Sequence, residues 1–267
     1  VNVGVQHQLF RNVSISGAFY HRNYANLRWT NNLLVSFSDY TPIAIPDPRG
    51  NGETITIYNL APAKNGLVQN VDQTSENTMT YNGFDIAVSS RFRRGGTLIA
   101  GMSSGLTRAN TCQVADPNGA VPATSGLRFC DQSSFDIPYD KNFKVSGAYP
   151  LPYGIMASAS LQSLPGLPRV ITYVVSRTQV PNLTLSSVTV QLNAPGTSYL
   201  PRLNQLDLKF SKSITFGRSR LQPELGIFNV ANSATYLSQN NAFGTALDRV
   251  QSILDGRVVR FGVQVGF

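Results

Sequence analysis

Two histidines, His7 and His21, and two cysteines, Cys112 and Cys130, are the side chains of this 267-residue chain best suited to nucleophilic or metal chemistry. A Ser-His-acid hydrolase needs a histidine oriented by a polar partner beside a nucleophilic serine. Serines are plentiful here, so their presence beside two histidines selects nothing. His7 and His21 fall on neighbouring strands, on the same face as an apolar row, and read as interfacial or packing residues. No nucleophile, base and orienting group can be placed together, so the chain reads as not an enzyme. Cys112 and Cys130 share one Pro-, Gly- and Asn-containing stretch without Cys-x-x-Cys spacing or nearby paired histidines, which argues against a metal. A disulfide is a stronger reading than two free thiols, and it implies an oxidising compartment. No catalytic, cofactor-binding or metal residue is assigned.

The elements that position these residues are strands. Residues 257 to 267 alternate strictly, with Val259, Phe261, Val263, Val265 and Phe267 on one face and Arg260, Gly262, Gln264 and Gly266 on the other. A tilted membrane-spanning strand needs about 9 to 11 residues, and this segment supplies them. An edge strand of a soluble sandwich alternates as well. Hydrophobic residues make up 42% of the chain, yet no run approaches the length of a membrane helix, so any crossing is made by strands. Only 13% of residues are charged, about half the usual share, which suits neutral polar side chains facing a wet lumen. The net charge of +8 is scattered, with no dense block beyond Arg91 to Arg94, and nucleic acid is not expected as a partner. Val1 onward reads as a strand, with no signal peptide.

Hairpins recur along the chain. Val1 to Leu9 turns at Arg11-Asn12 into Val13 to Phe19. Phe84, Ile86, Val88 and Phe92 turn through Arg93-Arg94-Gly95-Gly96 to Leu98, Ala100 and Met102, with Asp85, Ser89 and Arg91 on the opposite face. Phe143 to Tyr149 turns to Ile155 to Leu161, and Leu206 to Phe216 turns at Gly217-Arg218-Ser219 to Leu221 to Ile227. Between them lie long polar stretches at roughly 38 to 76, 110 to 138, 167 to 200 and 234 to 256. Within these, Thr54 to Tyr58 and Val170 to Val175 read as further strands, forming hairpins above the bilayer. The fold class is all-β: an antiparallel transmembrane β-barrel segment of about 9 to 12 strands from a larger barrel, with short periplasmic turns and long extracellular loops. Tyr20, Tyr24, Trp29, Tyr81, Phe92, Tyr149, Tyr153 and Phe216 lie near strand ends, where aromatic girdles sit. Asp85, Arg91, Asp207, Lys209, Glu224 and Arg260 are candidate lumen-facing residues, read first as a salt-bridged, hydrated wall and second as a ligand path or plug contact.

The stretch Pro201 to Lys212, the strand end Phe228-Asn229-Val230-Ala231-Asn232 and the closing Gly256-Arg257 and Phe261 to Phe267 resemble the last hairpins of TonB-dependent outer-membrane receptors of the Oar-like group, whose precursors carry a carboxypeptidase-regulatory-like domain. Upstream, Tyr81-Asn82-Gly83-Phe84-Asp85 resembles a hairpin-opening strand, and Ala61 to Gly66 resembles an external loop of the group. The resemblance implies that residues 1–267 are the C-terminal part of a receptor barrel. The N-terminal plug, the TonB box and the remaining strands are not identifiable in this chain. It further implies that Phe261, Val263, Val265 and Phe267 form the signal read by the barrel-assembly machinery.

The function so implied is energy-coupled uptake of a bulky solute, a siderophore, glycan or peptide, across the bacterial outer membrane. The partners implied are outer-membrane lipid, the barrel-assembly machinery, the inner-membrane TonB complex acting through the missing N-terminal part, and an extracellular solute ligand. The alternative is a surface adhesin or structural barrel that binds through its long loops without transport. A soluble β-sandwich lectin is a third reading, and it leaves the one-sided loop asymmetry without an account.

Overall fold

Period-2 alternation and Gly- or Asn-containing reversals lay the chain out as antiparallel strands. A computed structural model describes residues 1–114, 116–118 and 126–267. Strands β1 (Asn2–Phe10) and β2 (Val13–Tyr24) open the main sheet. The first long connection carries β3 (Arg28–Asn32), β4 (Tyr40–Pro46), β5 (Thr54–Leu60) and β6 (Asn70–Thr74). Four main-sheet strands follow in two hairpins, β7 (Thr78–Arg91) with β8 (Thr97–Asn110), then β9 (Asp140–Leu151) with β10 (Ile155–Leu164). The third connection holds β11 (Thr172–Ser176) and β12 (Ser187–Gln191). β13 (Leu203–Lys212), β14 (Ile214–Phe216) and β15 (Ser219–Phe228) precede β16 (Tyr236–Gln239) and β17 (Val250–Ile253) of the fourth connection, and β18 (Val258–Gly266) closes the chain.

Ten strands form one antiparallel sheet in the order β1-β2-β7-β8-β9-β10-β13-β15-β14, with β18 on the other side of β15. Because β14 continues β13 past Ser213, the chain crosses this wall nine times. β1 and β18 each have a single neighbour, so the wall is open at both edges. All four short turns lie at one rim and all four long connections, residues 25–77, 111–139, 165–202 and 229–257, at the other. The first connection starts earlier than the sequence pattern implies. At φ 56°, Asn26 turns the chain out of the wall, and β3 pairs with β6.

Register sorts the side chains into two faces. One row runs Ile15, Val88, Ala100, Val145, Leu161 and Leu206 across six strands. Its neighbour on the opposite face runs Ser16, Ala87, Gly101, Lys144, Gln162 and Gln205. Below Ser104 and Leu106, which are buried at its loop end, the apolar face is not covered by protein: on strands with a neighbour on each side, Ile86 is 45% exposed, Phe143 41% and Leu161 43%.

The hydrophobic core sits elsewhere. Of the twelve buried hydrophobic residues among the described ones, only Leu106 belongs to the wall. Ile45, Ile55 and Ile57 of the β4–β5 hairpin pack with Val175, Leu183, Val188, Val190 and Leu192 from the third connection, with Tyr173 and Phe243 at the margin. Two two-stranded sheets thus close on one another with alternate residues inward, as in a small sandwich. The neck of the third connection is tight. A Cβ on Gly166 would fall 1.7 Å from the Leu200 carbonyl oxygen, so only glycine allows these stems to meet.

Candidate functional site: the loop cap and the polar face

The long connections form one hydrogen-bonded cap. Asn118 of the second connection accepts from the Tyr58 amide (2.7 Å) and donates to the Tyr58 carbonyl (2.8 Å), doubling a backbone pairing to the first. Asn59 donates to the Asn182 carbonyl (2.9 Å) and accepts from the Thr184 amide (2.8 Å), tying the first connection to the third. Arg128 donates to the Gln191 carbonyl (2.9 Å). The third and fourth connections meet through Thr172 and Phe243, whose amide donates to the Thr172 carbonyl (2.7 Å), and through the Arg169–Asp248 ion pair. Cys112 and Cys130, with Cα atoms 4.8 Å apart, are joined as a disulfide at the base of the second connection. Asn110 at the end of β8 bridges Asp131 beside it.

Asp47 is the buried charge of this cap. Its side chain is fully covered and accepts from the Arg49 amide (2.9 Å) and from the Arg49 guanidinium at 2.5 to 3.1 Å, while Arg128 stands 4.0 Å away. The Arg49 hydrogen bonds hold its carboxyl down at about 2, against the opposing pull of burial. A depressed carboxyl contributes stability that is complete above its unfolded value, about pH 4, and is lost as pH falls through the folded one. The stability advantage of the native chain over Asp47→Asn should therefore be constant from neutral pH to about 4 and shrink between about 4 and 2. Loop-cap melting followed across that range checks it. An advantage that does not change with pH would show that the Asp47 charge contributes nothing.

Where the cap meets β7, β8 and β9, a cleft of about 430 Å³ opens, lined among others by Tyr81, Ser103, Asp140, Asn142, Arg169 and Tyr199. That size is within the range of small-molecule sites. Tyr81 pairs with Thr107 on the polar face, and its ring lies over Gly83 and Gly105, where any Cβ would strike it at 2.3 and 2.8 Å. Glycine at both positions makes a platform for the phenol. Arg169 is engaged by Asp248 and by Asn241 (3.1 Å), so among the described residues Asp140 is the lining charge without an ion-pair partner. Burial, and secondarily the Asp140 charge, push the Tyr199 phenol upward, keeping it a neutral donor. Hydroxyls, amides and tyrosines of this kind suit a solute rich in hydrogen-bonding groups, and the Asp140 carboxylate disfavours an anionic one.

Register places Asp85, Arg91, Asp207, Lys209, Glu224 and Arg260 all on the polar face. They do not converge into one site. Lys209 and Glu224 form an ion pair at 2.6 Å, and Asp207 is held by Gln205 (3.0 Å) and by the Asn229 amide (2.8 Å), where the chain leaves β15. Asp85 lies opposite Ser103, next to the cleft. Phe261, Val263 and Val265 face Leu225, Pro223 and Leu221 in one apolar row, and Phe267 ends it fully exposed.

Four of the strand-end aromatics differ from expectation. Tyr20, Tyr24 and Tyr81 share the polar face of Asp85, and Trp29 belongs to the paired strands β3 and β6 of the first connection. Phe92, Tyr149 and Phe216 do sit at the short-turn rim, the first two in edge-to-face contact at 6.0 Å. His7 lies opposite Ile15, so His21 is six residues further along β2, about 20 Å away. His21 hydrogen-bonds Asn82 (2.7 Å), and the two histidines are not brought together. Among the described residues no three His, Cys, Asp or Glu side chains converge on a metal position.

No family description and no curated protein matches the chain. Among solved structures, it is similar to the outer membrane transporter YddB from Escherichia coli, at 13% identity and a TM-score of 0.47. The match covers 98% of this chain and 31% of that one, so the chain spans about a third of that protein's length.

Proposed function

We propose that residues 1–267 are the C-terminal wall and loop cap of an outer-membrane transport barrel of the TonB-dependent, Oar-like kind. One observation carries the reading: below its loop end, where Ser104 and Leu106 are buried, a ten-stranded sheet leaves its apolar face uncovered, while the rest of the protein's buried hydrophobic core lies in its loops. A water-soluble sheet buries that face, whereas a barrel wall exposes it to lipid. The margins of the face fit as well. From Phe84 to Phe92 it spans about 27 Å of strand, close to the roughly 25 Å apolar band of such barrels. Toward the loops it ends in polar residues, His21, Asn82, Ser104, Lys141, Ser163 and Asn204, and toward the short turns in Phe92, Tyr149 and Phe216.

On this reading the long loops are extracellular, and Asp85, Arg91, Asp207, Lys209, Glu224 and Arg260 line the lumen or meet a plug. The row ending at Phe267 is what the barrel-assembly machinery reads. The open edges of β1 and β18 need partner strands, because lipid cannot satisfy unpaired backbone. Nine crossings in a closed antiparallel barrel require an odd number from elsewhere, and a 22-stranded receptor barrel leaves about thirteen. The cleft at Tyr81 and Tyr199 then opens toward the lumen beneath the cap, where an extracellular solute would enter before an energised plug moves. The cap's own core favours a second reading, a surface adhesin, since a rigid loop scaffold binds without transport.

The intact native polypeptide should sediment with the outer membrane and be released only by detergent. Its N-terminal sequence should contain a plug and TonB box for the transporter, or another exported domain for the adhesin. Recovery of the intact polypeptide in the soluble fraction would overturn both.

A further inference from the structure

The net charge of the chain is not spread over it. Seven of the 22 Lys and Arg residues, Arg11, Arg91, Arg93, Arg94, Lys212, Arg218 and Arg220, stand on the four short turns or the strand ends beside them, and none of the 14 Asp and Glu residues does. The remainder, fifteen cations against fourteen carboxylates, is close to neutral. All seven are exposed, and among the described residues none is in an ion pair; Arg220 alone is tethered, to the Ser213 hydroxyl at 2.8 Å. Like charges gathered at one rim repel, and an ordinary surface intersperses both signs.

Beside this collar, on the apolar face, lies a groove of about 330 Å³. Gly147, Ala157 and Ala159 form its floor, and Leu98, Tyr149 and Phe210 rise around it. It runs toward the rim along β9 and β10, where Lys212 faces Ile155 on the apolar side.

We propose that this rim and groove seat an anionic phospholipid of the adjoining leaflet, its phosphate against the turn cations Arg93 and Arg94 and against Lys212 of the apolar face, and one acyl chain in the groove. Arg91 and Arg220 stand on the polar face. The inference rests on the membrane reading above. Charge complementarity selects the headgroup: basic side chains at a membrane surface attract anionic lipid additively and within a Debye length. The groove selects a lipid over a soluble polyanion, because small residues flanked by leucine and aromatics accept a methylene chain and offer a polyanion nothing. Interfacial Phe92, Tyr149 and Phe216 fix the depth at which headgroup and chain meet.

The test uses the intact native polypeptide in phosphatidylcholine vesicles carrying a trace of spin-labelled phosphatidylglycerol or phosphatidylcholine. The motionally restricted fraction should favour phosphatidylglycerol by about tenfold and lose most of that preference at high salt. A combined Arg93→Gln, Arg94→Gln and Lys212→Gln variant should bring the preference close to unity, and Ala159→Leu should reduce the restricted fraction of both lipids. Protease protection in the same vesicles reports insertion separately. Equal restriction of the two lipids by the inserted native protein would overturn the proposal and leave the barrel standing. So would a full preference retained by the triple variant. Failure to insert would overturn both.

Discussion

Arginine in place of Val263 should destabilise the wall by about 2 to 4 kcal/mol, while arginine at the next residue, Gln264, should cost under about 1. The difference follows from the pleat, since successive side chains of β18 stand on opposite faces. Val263 lies midway between Val259 and Phe267, opposite Pro223 and in the row of Phe261 and Val265, at the depth where a charge in lipid is most expensive. Gln264 lies opposite Gln222 on the face of Glu224 and Arg260, where a guanidinium meets water and a carboxylate. Reversible denaturation of the folded protein in bilayers measures both costs. A larger cost at Gln264 would mean that the polar face, not the apolar one, lies against lipid.

The wall was readable because its signal is local. Alternation in Val259 to Phe267 is complete within one strand, and the four short reversals at Arg11, Arg93, Tyr153 and Gly217 sit between runs of matching period. The same rule fixes the tyrosines: Tyr81 and Asp85, four residues apart in β7, must share a face, so proximity to a strand end was the wrong criterion for a girdle. The cap was readable only in pieces. Thr54 to Tyr58 declares a strand, but its packing on Val188 and Val190 depends on partners over a hundred residues away, as does the bond between Asn59 and Thr184. No period within either segment encodes that meeting. The basic rim is hidden for the same reason, because its cations are spread from residue 11 to residue 220 and only the hairpin topology gathers them. Asp47 and Arg49 are neighbours in sequence, but Arg128 reaches them across the fold.

Alanine at Ile57 should cost about 2 to 5 kcal/mol, and the loss should fall on the cap. Ile57 is completely buried, lies opposite Ile43 and packs into the cluster that holds the first and third connections together. Removing its branch leaves a cavity between two small sheets that have few other apolar contacts to close over it. The wall does not share this core, since Leu106 is its only buried hydrophobic residue among those described, and its strands are held by ladder hydrogen bonds and by whatever solvent covers the apolar face. Ile86→Ala removes a side chain of like size from that face without leaving a cavity, because the surrounding solvent closes over it. Hydrogen exchange should therefore show faster opening of Thr54–Leu60 and Ser187–Gln191 in Ile57→Ala, with β7 to β10 unchanged, and little change in either region in Ile86→Ala. Uniform loss of protection across cap and wall in the first variant would make the two a single cooperative unit, and the separate core in the loops would then be a feature of packing without thermodynamic independence.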